Sequence, residues 1–391
     1  MKNNHKLLIE MSIKKLIHWV EGNNYRGYDP GDGLTSYLRP LTSNNLLLER
    51  ILQQLIWKSP INLRPLLGVK PLDSCIGRGY FARGHLKMFQ LTGDNRYKHN
   101  AIICLDWLMK NKSPYLTEYC WGKMFDFSSR GGRQKKYEPI TVWTSLIAQA
   151  FLDAYEILGE AKYLNVAESV CNWIMEVPRT PGKSGFCINY TASGKEPCTI
   201  HNQSMLAAGL LARAWKHIGK SCYIRTAKEA VEFTCAYQKP DGSWLYGEEN
   251  KYHWIDSFHT AYILDGLKCY IENTGDGWGK DILRKGFDFY KANFFEKDGR
   301  PKYYHNRTYP VDSQCASQAI DTLAYFADYD PSSLNLALRV SWWTIKNMQD
   351  DSGHFYFRRY PLILAKVPMI HWAQATTFKA LSFLLFLLEN Q

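Results

Sequence analysis

The chain has 391 residues, a formal net charge of +11, 46% hydrophobic residues and 14% aromatic residues, with 13 Trp and 25 Tyr. A composition this apolar supports a sizeable core and excludes a disordered chain. The longest apolar run, "LSFLLFLL" at 381–388, is too short to span a bilayer, so no transmembrane segment is expected.

The first predicted element is a helix over about residues 5–21. Its apolar residues are broken by Lys and Glu every few positions, unlike the continuous apolar core of a signal peptide. Ten cysteines form no CxxC pair and no Cys/His cluster with zinc spacing, which suits a reducing compartment. A cytoplasmic protein is expected. The loop "NNYRGYDPGDGL" at 23–34 follows, rich in aromatic and polar groups, and offers Tyr25, Tyr28 and Asp29 as candidate site residues. Residues 43–57 read as a degenerate helical segment.

A repeat then takes over. Gly93, Gly159 and Gly219 each end a long helix, 66 and 60 residues apart, and weaker copies pass through Gly275 and near Asp330. Ala82, Ala148 and Ala208 precede these glycines by eleven residues, and Phe89, Tyr155 and Trp215 by four. Each unit is two helices. The first is apolar nearly all round, as in Val142 to Leu158. The second is amphipathic, with Leu164, Ala167, Cys171 and Ile174 at helical spacing. After the second helix comes a corner of Gly and aromatics, seen in "QKPDGSWLYGE" (238–248) and again in "QDDSGHFYF" (349–357). Asp-Gly supplies a turn there, and Trp244 can pack beneath it. The chain ends on an unpartnered helix of the first type, "HWAQATTFKALSFLLFLLEN", and starts on one of the second type. Paired ends close a ring. The expected fold is all-α: an α/α toroid of six to seven helical hairpins in a single domain, 1–391, with the N-terminal helix completing the C-terminal one.

In such a ring the loops entering the inner helices share one rim. They read "KKYEPITVW", "CTIHNQS", "KYHWIDSFHTAY", "RTYPVDSQCASQ" and "VPMIHWAQ". Polar groups recur there, as expected of a lined pocket. Candidate acid–base residues are Asp256, Asp312, Glu138, His201, His259 and His371. Candidate binding residues are Trp244, Trp254, Trp372, Tyr246, Tyr309, Gln203 and Gln314, with Trp244, Trp254 and Trp372 as stacking platforms. Arg26, Arg307 and Arg358 are candidates for holding a sugar acid. Other readings stand beside these. Asp256 and Asp312 also fit helix N-caps, the histidines fit satisfied core positions, and Glu138 fits a solvated loop acid. No metal set, dinucleotide fingerprint or Gly-x-Ser-x-Gly elbow is present, so no cofactor is expected. No zinc-finger, RNP or phosphate-loop motif points to nucleic acid.

The corners "QKPDGSW" and "QDDSGHF" resemble the glutamine–tryptophan repeats of triterpene cyclases, but that family's Asp-x-Asp-Asp signature has no counterpart here. The helix pairs resemble the six-hairpin glycosidases and the toroidal domain of glucuronyl epimerases. "YDPGDGL" resembles a "YDPYDGL" signature of toroid proteins in bacterial surface-polysaccharide biosynthesis, with Gly31 where that signature has Tyr. Together these imply a carbohydrate-active protein of capsule, O-antigen or exopolysaccharide synthesis. Its ligand would be an acidic glycan, free or lipid-linked, and its chemistry acid–base: glycosidase, lyase or uronate epimerase. The alternatives are a non-catalytic glycan-binding scaffold and a terpenoid or prenyl-chain enzyme.

Overall fold

The computed structural model describes residues 2–191 and 199–390, so Cys198 lies outside the described residues. Thirteen α-helices are found among them: α1 (Lys2–Gly22), α2 (Leu46–Lys58), α3 (Cys75–Thr92), α4 (Asn95–Lys110), α5 (Thr141–Leu158), α6 (Ala161–Glu176), α7 (His201–Ile218), α8 (Ser221–Ala236), α9 (Ser257–Thr274), α10 (Lys280–Asn293), α11 (Ser313–Tyr325), α12 (Ser332–Met348) and α13 (Thr376–Glu389). The inner ring is α3, α5, α7, α9, α11 and α13. It closes because α13 packs on both α11 and α3. The outer ring is α4, α6, α8, α10, α12 and α1, with α1 against α12 and α13. The fold is an α/α toroid of six hairpins, one of them stitched from the two ends of the chain. The segment expected as a degenerate seventh hairpin is α2, which stands outside the ring. It packs on the helical turns at 32–35 and 39–42 and on the strand Phe127–Ser129.

Inner and outer helices differ as their sequences require. In α5 the run from Thr141 to Leu152 is buried throughout except Gln149, whereas α6 buries one stripe that includes Tyr163, Ala167, Val170 and Ile174. Four inner helices end on a left-handed glycine whose N–H caps a carbonyl four residues back: Gly93, Gly159, Gly219 and Gly275.

The glutamine corners act as staples. The Nε2 of Gln238 donates to the carbonyl of Gly242 in its own turn (3.1 Å) and to that of Ile282 in α10 (2.8 Å). Gln349 repeats this with Gly353 (2.9 Å) and with Ser12 in α1 (3.1 Å), so the second corner helps hold the stitched hairpin. Both glycines have φ near +100°, and a Cβ on either would meet the neighbouring helix backbone at 2.4 Å or less. Only glycine fits such an approach. Trp244 lies beneath its corner, 1% exposed, with its indole N–H on the carbonyl of Thr234 (2.9 Å). Trp121 makes the same bond to Leu108 (3.0 Å) two hairpins earlier.

Several loops expected as plain corners form short antiparallel strands. β1 (Phe127–Ser129) pairs with β2 (Gly132–Gln134), and β3 (Arg179–Pro181) with β4 (Phe186–Ile188). β6 (Arg358–Arg359) lies between β5 (Val311–Asp312) and β7 (Leu364–Ala365). These strands extend the rim at the N-terminal ends of the inner helices.

Deeper in the ring, all six inner helices contribute a charged side chain: Arg83, Asp153, Arg213, Asp265, Asp321 and Lys379. Arg83 and Arg213 both bind Asp153 at 2.7 Å, and Lys379 binds Asp321 at 2.5 Å.

Candidate active site

A cleft of about 1410 Å³ opens at the rim. Its floor includes Tyr80 and Tyr262, joined hydroxyl to hydroxyl at 2.9 Å.

Two histidines face the cleft, each held from behind by a buried carboxylate. Asp256 precedes α9 and its Oδ1 accepts the N–H of His259 (3.0 Å), a helix cap. Its Oδ2 accepts the imidazole Nδ1–H of His259 (2.7 Å) and the indole N–H of Trp254 (2.8 Å). One carboxylate therefore caps the helix, sets the tautomer of His259 and fixes Trp254. The Nε2 of His259 has no hydrogen-bond partner among the described residues and is turned to the cleft. Across the cleft, the Nδ1 of His371 meets Asp29 Oδ2 at 2.6 Å. His371 lies in a wide helical turn, Ile370–Ala375, that leads into α13, while Asp29 is 342 residues earlier in the loop after α1. Burial pushes the Asp29 carboxyl up, but the charges of His371 and Lys123 outweigh it and hold it below the usual carboxylate range. Rings connect the two histidines: His259 to Phe258 (3.8 Å), Phe258 to Trp372 (5.5 Å) and Trp372 to His371 (5.7 Å).

The "YDPGDGL" loop is built to present Asp29. Asp32 is buried, pairs with the buried Arg64 at 2.9 Å and accepts the N–H of Asp29 at 3.0 Å. At Gly31, a Cβ would come within 2.6 Å of the Phe127 ring, which fills the space a side chain would need.

Other groups complete the walls. Tyr246 stacks on Trp254 at 4.5 Å and 16°, beside His259. Lys123 stands over Trp143 at 4.2 Å, and burial lowers its pKa against the opposing charge of Asp29. Asn202 and Gln314 line the cleft, and each has a buried amide oxygen without a hydrogen bond among the described residues. Arg50, Lys58, Arg130 and Arg133 line the outer part, against the carboxylates of Asp29 and Glu138.

The sequence-predicted residues thus divide. His259, His371, Trp254, Trp372, Tyr246, Gln314, Glu138 and Asp29 line the cleft. Asp256 stands directly behind His259. Asp312 is fully buried and engaged by Arg358 (2.5 Å), the indole N–H of Trp372 (2.6 Å) and the N–H of Gln314 (2.9 Å). His201 points away from the cleft, to Glu248 at 2.9 Å and the rings of Phe233 and Tyr237. Trp244 is in the core. Gln203 is fully buried with its Nε2 on the carbonyl of Ile188, Tyr309 accepts from Arg300 at 3.1 Å, Tyr25 bonds His85 at 2.9 Å, and Tyr28 lies under Arg64. None of these last four lines the cleft. Lys123, Trp143 and the pair Tyr303–Tyr304 line it without having been singled out. Lys123 and the tyrosines sit in the Gly-aromatic corners "GKMFDF" and "GRPKYY", whose repetition signals structure and masks a site.

No protein-family model and no curated relative matches the sequence. Solved structures do match by shape. A D-mannose isomerase superposes with a TM-score of 0.60 at 14% identity, over 81% of this chain and 87% of that one. A cellobiose 2-epimerase from Spirochaeta thermophila gives 0.62 at 10%, over 81% and 86%. An unsaturated glucuronyl hydrolase specific for heparin gives 0.61 at 13%, over 98% and 97%. At these identities the likeness is one of fold.

Proposed function

We propose that the protein is a sugar epimerase or isomerase in which His259 and His371 move a proton at a carbon next to a carbonyl. The observation that carries this is the pair of carboxylate-held histidines facing one cleft. In each, the carboxylate accepts the Nδ1–H hydrogen bond and Nε2 is turned to substrate, as a lone pair in the base and as an N–H in the acid. One imidazole removes the proton from C2 of an open-chain sugar. The electron pair moves onto the C1 oxygen, and the other imidazolium returns a proton to carbon from the opposite side. Return to C2 re-forms the C1 carbonyl and gives the epimer. Return to C1, with the proton of the C2 hydroxyl passing to the C1 oxygen, gives the ketose. General acid–base transfer of this kind contributes ~10²–10⁴-fold. Lys123 would stabilise the developing oxyanion. Asn202 and Gln314 would place polar groups beside the sugar, and Trp254 and Trp372 would support the ring faces. The mannose isomerase and cellobiose epimerase among the fold neighbours support the reading.

Asp256 and Asp312 take holding roles here in place of the acid/base pair expected from sequence. The excess of cationic groups at the cleft mouth favours an acidic sugar or glycan. A place in bacterial surface-polysaccharide synthesis rests on the resemblance of "YDPGDGL". Hydrolysis is the second reading. It is favoured by the full-length likeness to the glucuronyl hydrolase and by two carboxylates, Asp29 and Glu138, at the cleft. Proton NMR of a panel of neutral and uronic mono- and disaccharides tests both. Signals of a second epimer or a ketose, without cleavage, support the proposal. New reducing ends without epimer sink it in favour of hydrolysis.

A further inference from the structure

The helix α2 is built inside out. A surface helix normally turns its apolar stripe to the core and its polar face to water. Here the buried residues include Glu49 and Gln53. Glu49 binds the Ser128 hydroxyl (2.6 Å) and Arg133 (2.9 Å), and the Gln53 amide bonds both the N–H and the carbonyl of Ser128 at 3.2 Å. Leu47, Ile51 and Leu55, one turn apart each, face outward and are 47–64% exposed. The flanking turns continue the pattern, with Leu41, Ile61 and Leu66 each at least 70% exposed. Nearly half of the exposed large apolar side chains among the described residues fall in the stretch 37–66. Two more, Leu362 and Ile363, lie at the tip of the β6–β7 hairpin, whose Arg358 sits over the ring of Trp57 in α2. Contiguous exposed apolar surface of this kind marks an interaction face.

Charge identifies the partner. From Gly33 to Leu72 the only acidic residue is Glu49, which is buried and paired. The same stretch carries Arg50, Lys58 and Lys70, none of them in an ion pair among the described residues. Arg130, in the neighbouring β1–β2 turn, meets a backbone carbonyl and the face of Trp254 and is in no ion pair among the described residues. Outward leucines flanked by free cations and no exposed carboxylate suit the boundary between anionic headgroups and acyl chains.

We propose that α2 and its flanking turns dock the protein on an anionic bilayer surface, with Leu47, Ile51 and Leu55 entering the interface and the cations meeting the headgroups. These three residues also line the cleft, so its mouth opens toward the lipid. The docking does not depend on the chemistry proposed for the cleft.

The test is sedimentation of the full chain with vesicles of phosphatidylcholine alone and of phosphatidylcholine mixed with phosphatidylglycerol. Binding to the mixed vesicles is expected, weakening as salt rises. Ile51→Ser with Leu55→Ser, which leaves the charge unchanged, is expected to lower the bound fraction about tenfold or more, since each removes an inserting side chain. Leu7→Ser, at an exposed position on α1, is the control and is expected to bind as wild type, and all three proteins are expected to melt alike. No binding to the mixed vesicles, or equal binding by the double variant, overturns the proposal. So does a wild-type dimer that the double variant dissociates while vesicles bind neither protein, since the face would then cover a second copy of the chain.

Discussion

Asp256→Asn separates orienting from proton transfer. The carboxylate accepts three hydrogen bonds, from the backbone N–H of His259, the imidazole Nδ1–H of His259 and the indole N–H of Trp254. An asparagine has one oxygen. If that oxygen keeps the helix cap, its amide N–H₂ meets the Trp254 donor head-on and turns the His259 tautomer, so Nδ1 accepts and Nε2 carries the proton. The base then presents an N–H to the cleft where a lone pair is needed. The half-buried indole donor left unpaired costs about 1 kcal/mol of stability. The lost general base lowers kcat by ~10²–10⁴. KM is expected to rise by a smaller factor, because Trp254, a wall of the cleft, loses the acceptor that fixes it. The assay is initial rate by NMR on whichever sugar the panel identifies, with a thermal melt of the same preparation. Asp256→Asn with wild-type kcat, alongside His259→Gln with wild-type kcat, would refute the dyad. A melt lowered as expected with kcat intact would reduce Asp256 to a cap.

Other outcomes follow from the same geometry. Asp312→Asn leaves the buried Arg358 guanidinium without its carboxylate and is expected to destabilise by about 3–5 kcal/mol in a denaturant melt. Trp244→Ala is expected to cost about 3–5 kcal/mol by emptying the space beneath its corner, again read by denaturant unfolding, with the substrate KM unchanged. His201→Gln is expected to leave turnover at the wild-type rate, because the imidazole faces Glu248 and not the cleft. Asp265 is pushed up to about 7, by burial first and by the charge of Asp321 second, against Lys379. Its folded pKa exceeds its unfolded one, so its protonated form stabilises the ring fully below about pH 4, and that contribution is lost as pH rises through about 7. Asp265→Asn is expected to flatten the decline in melting temperature across that window, and an unchanged pH profile would contradict it.

The ring was legible because its signals are local. Left-handed glycines, all-round apolar helices and a repeated Asp-Gly corner each speak for themselves, and the unpaired first and last helices complete each other. The site was legible only in part, because a helix start does not say which way a residue points. His201 is the first residue of α7 and His259 the third of α9. Two residues turn a helix by about 200°, so one histidine faces outward to Glu248 and the other faces the cleft, with Asn202 taking the inward place beside His201. The contact between Asp29 and His371 spans nearly the whole chain and follows only once the ends are stitched. Trp244 and Trp254 have like composition around them, yet one lies under a corner and the other over the cleft. The helix α2 misled for a different reason. It read as a degenerate helical segment of the ring, and nothing in a hydrophobic pattern says that Glu49 and Gln53 take the inside.

The most direct measurement of the central claim is deuterium uptake at C2 of an active sugar in heavy water, followed by NMR for wild type, His259→Gln and His371→Gln. The account predicts uptake with wild type, and with each variant the loss of exchange from one of the two epimers or isomers. Conversion with no deuterium uptake by any of the three, or uptake undiminished in both variants, would contradict it.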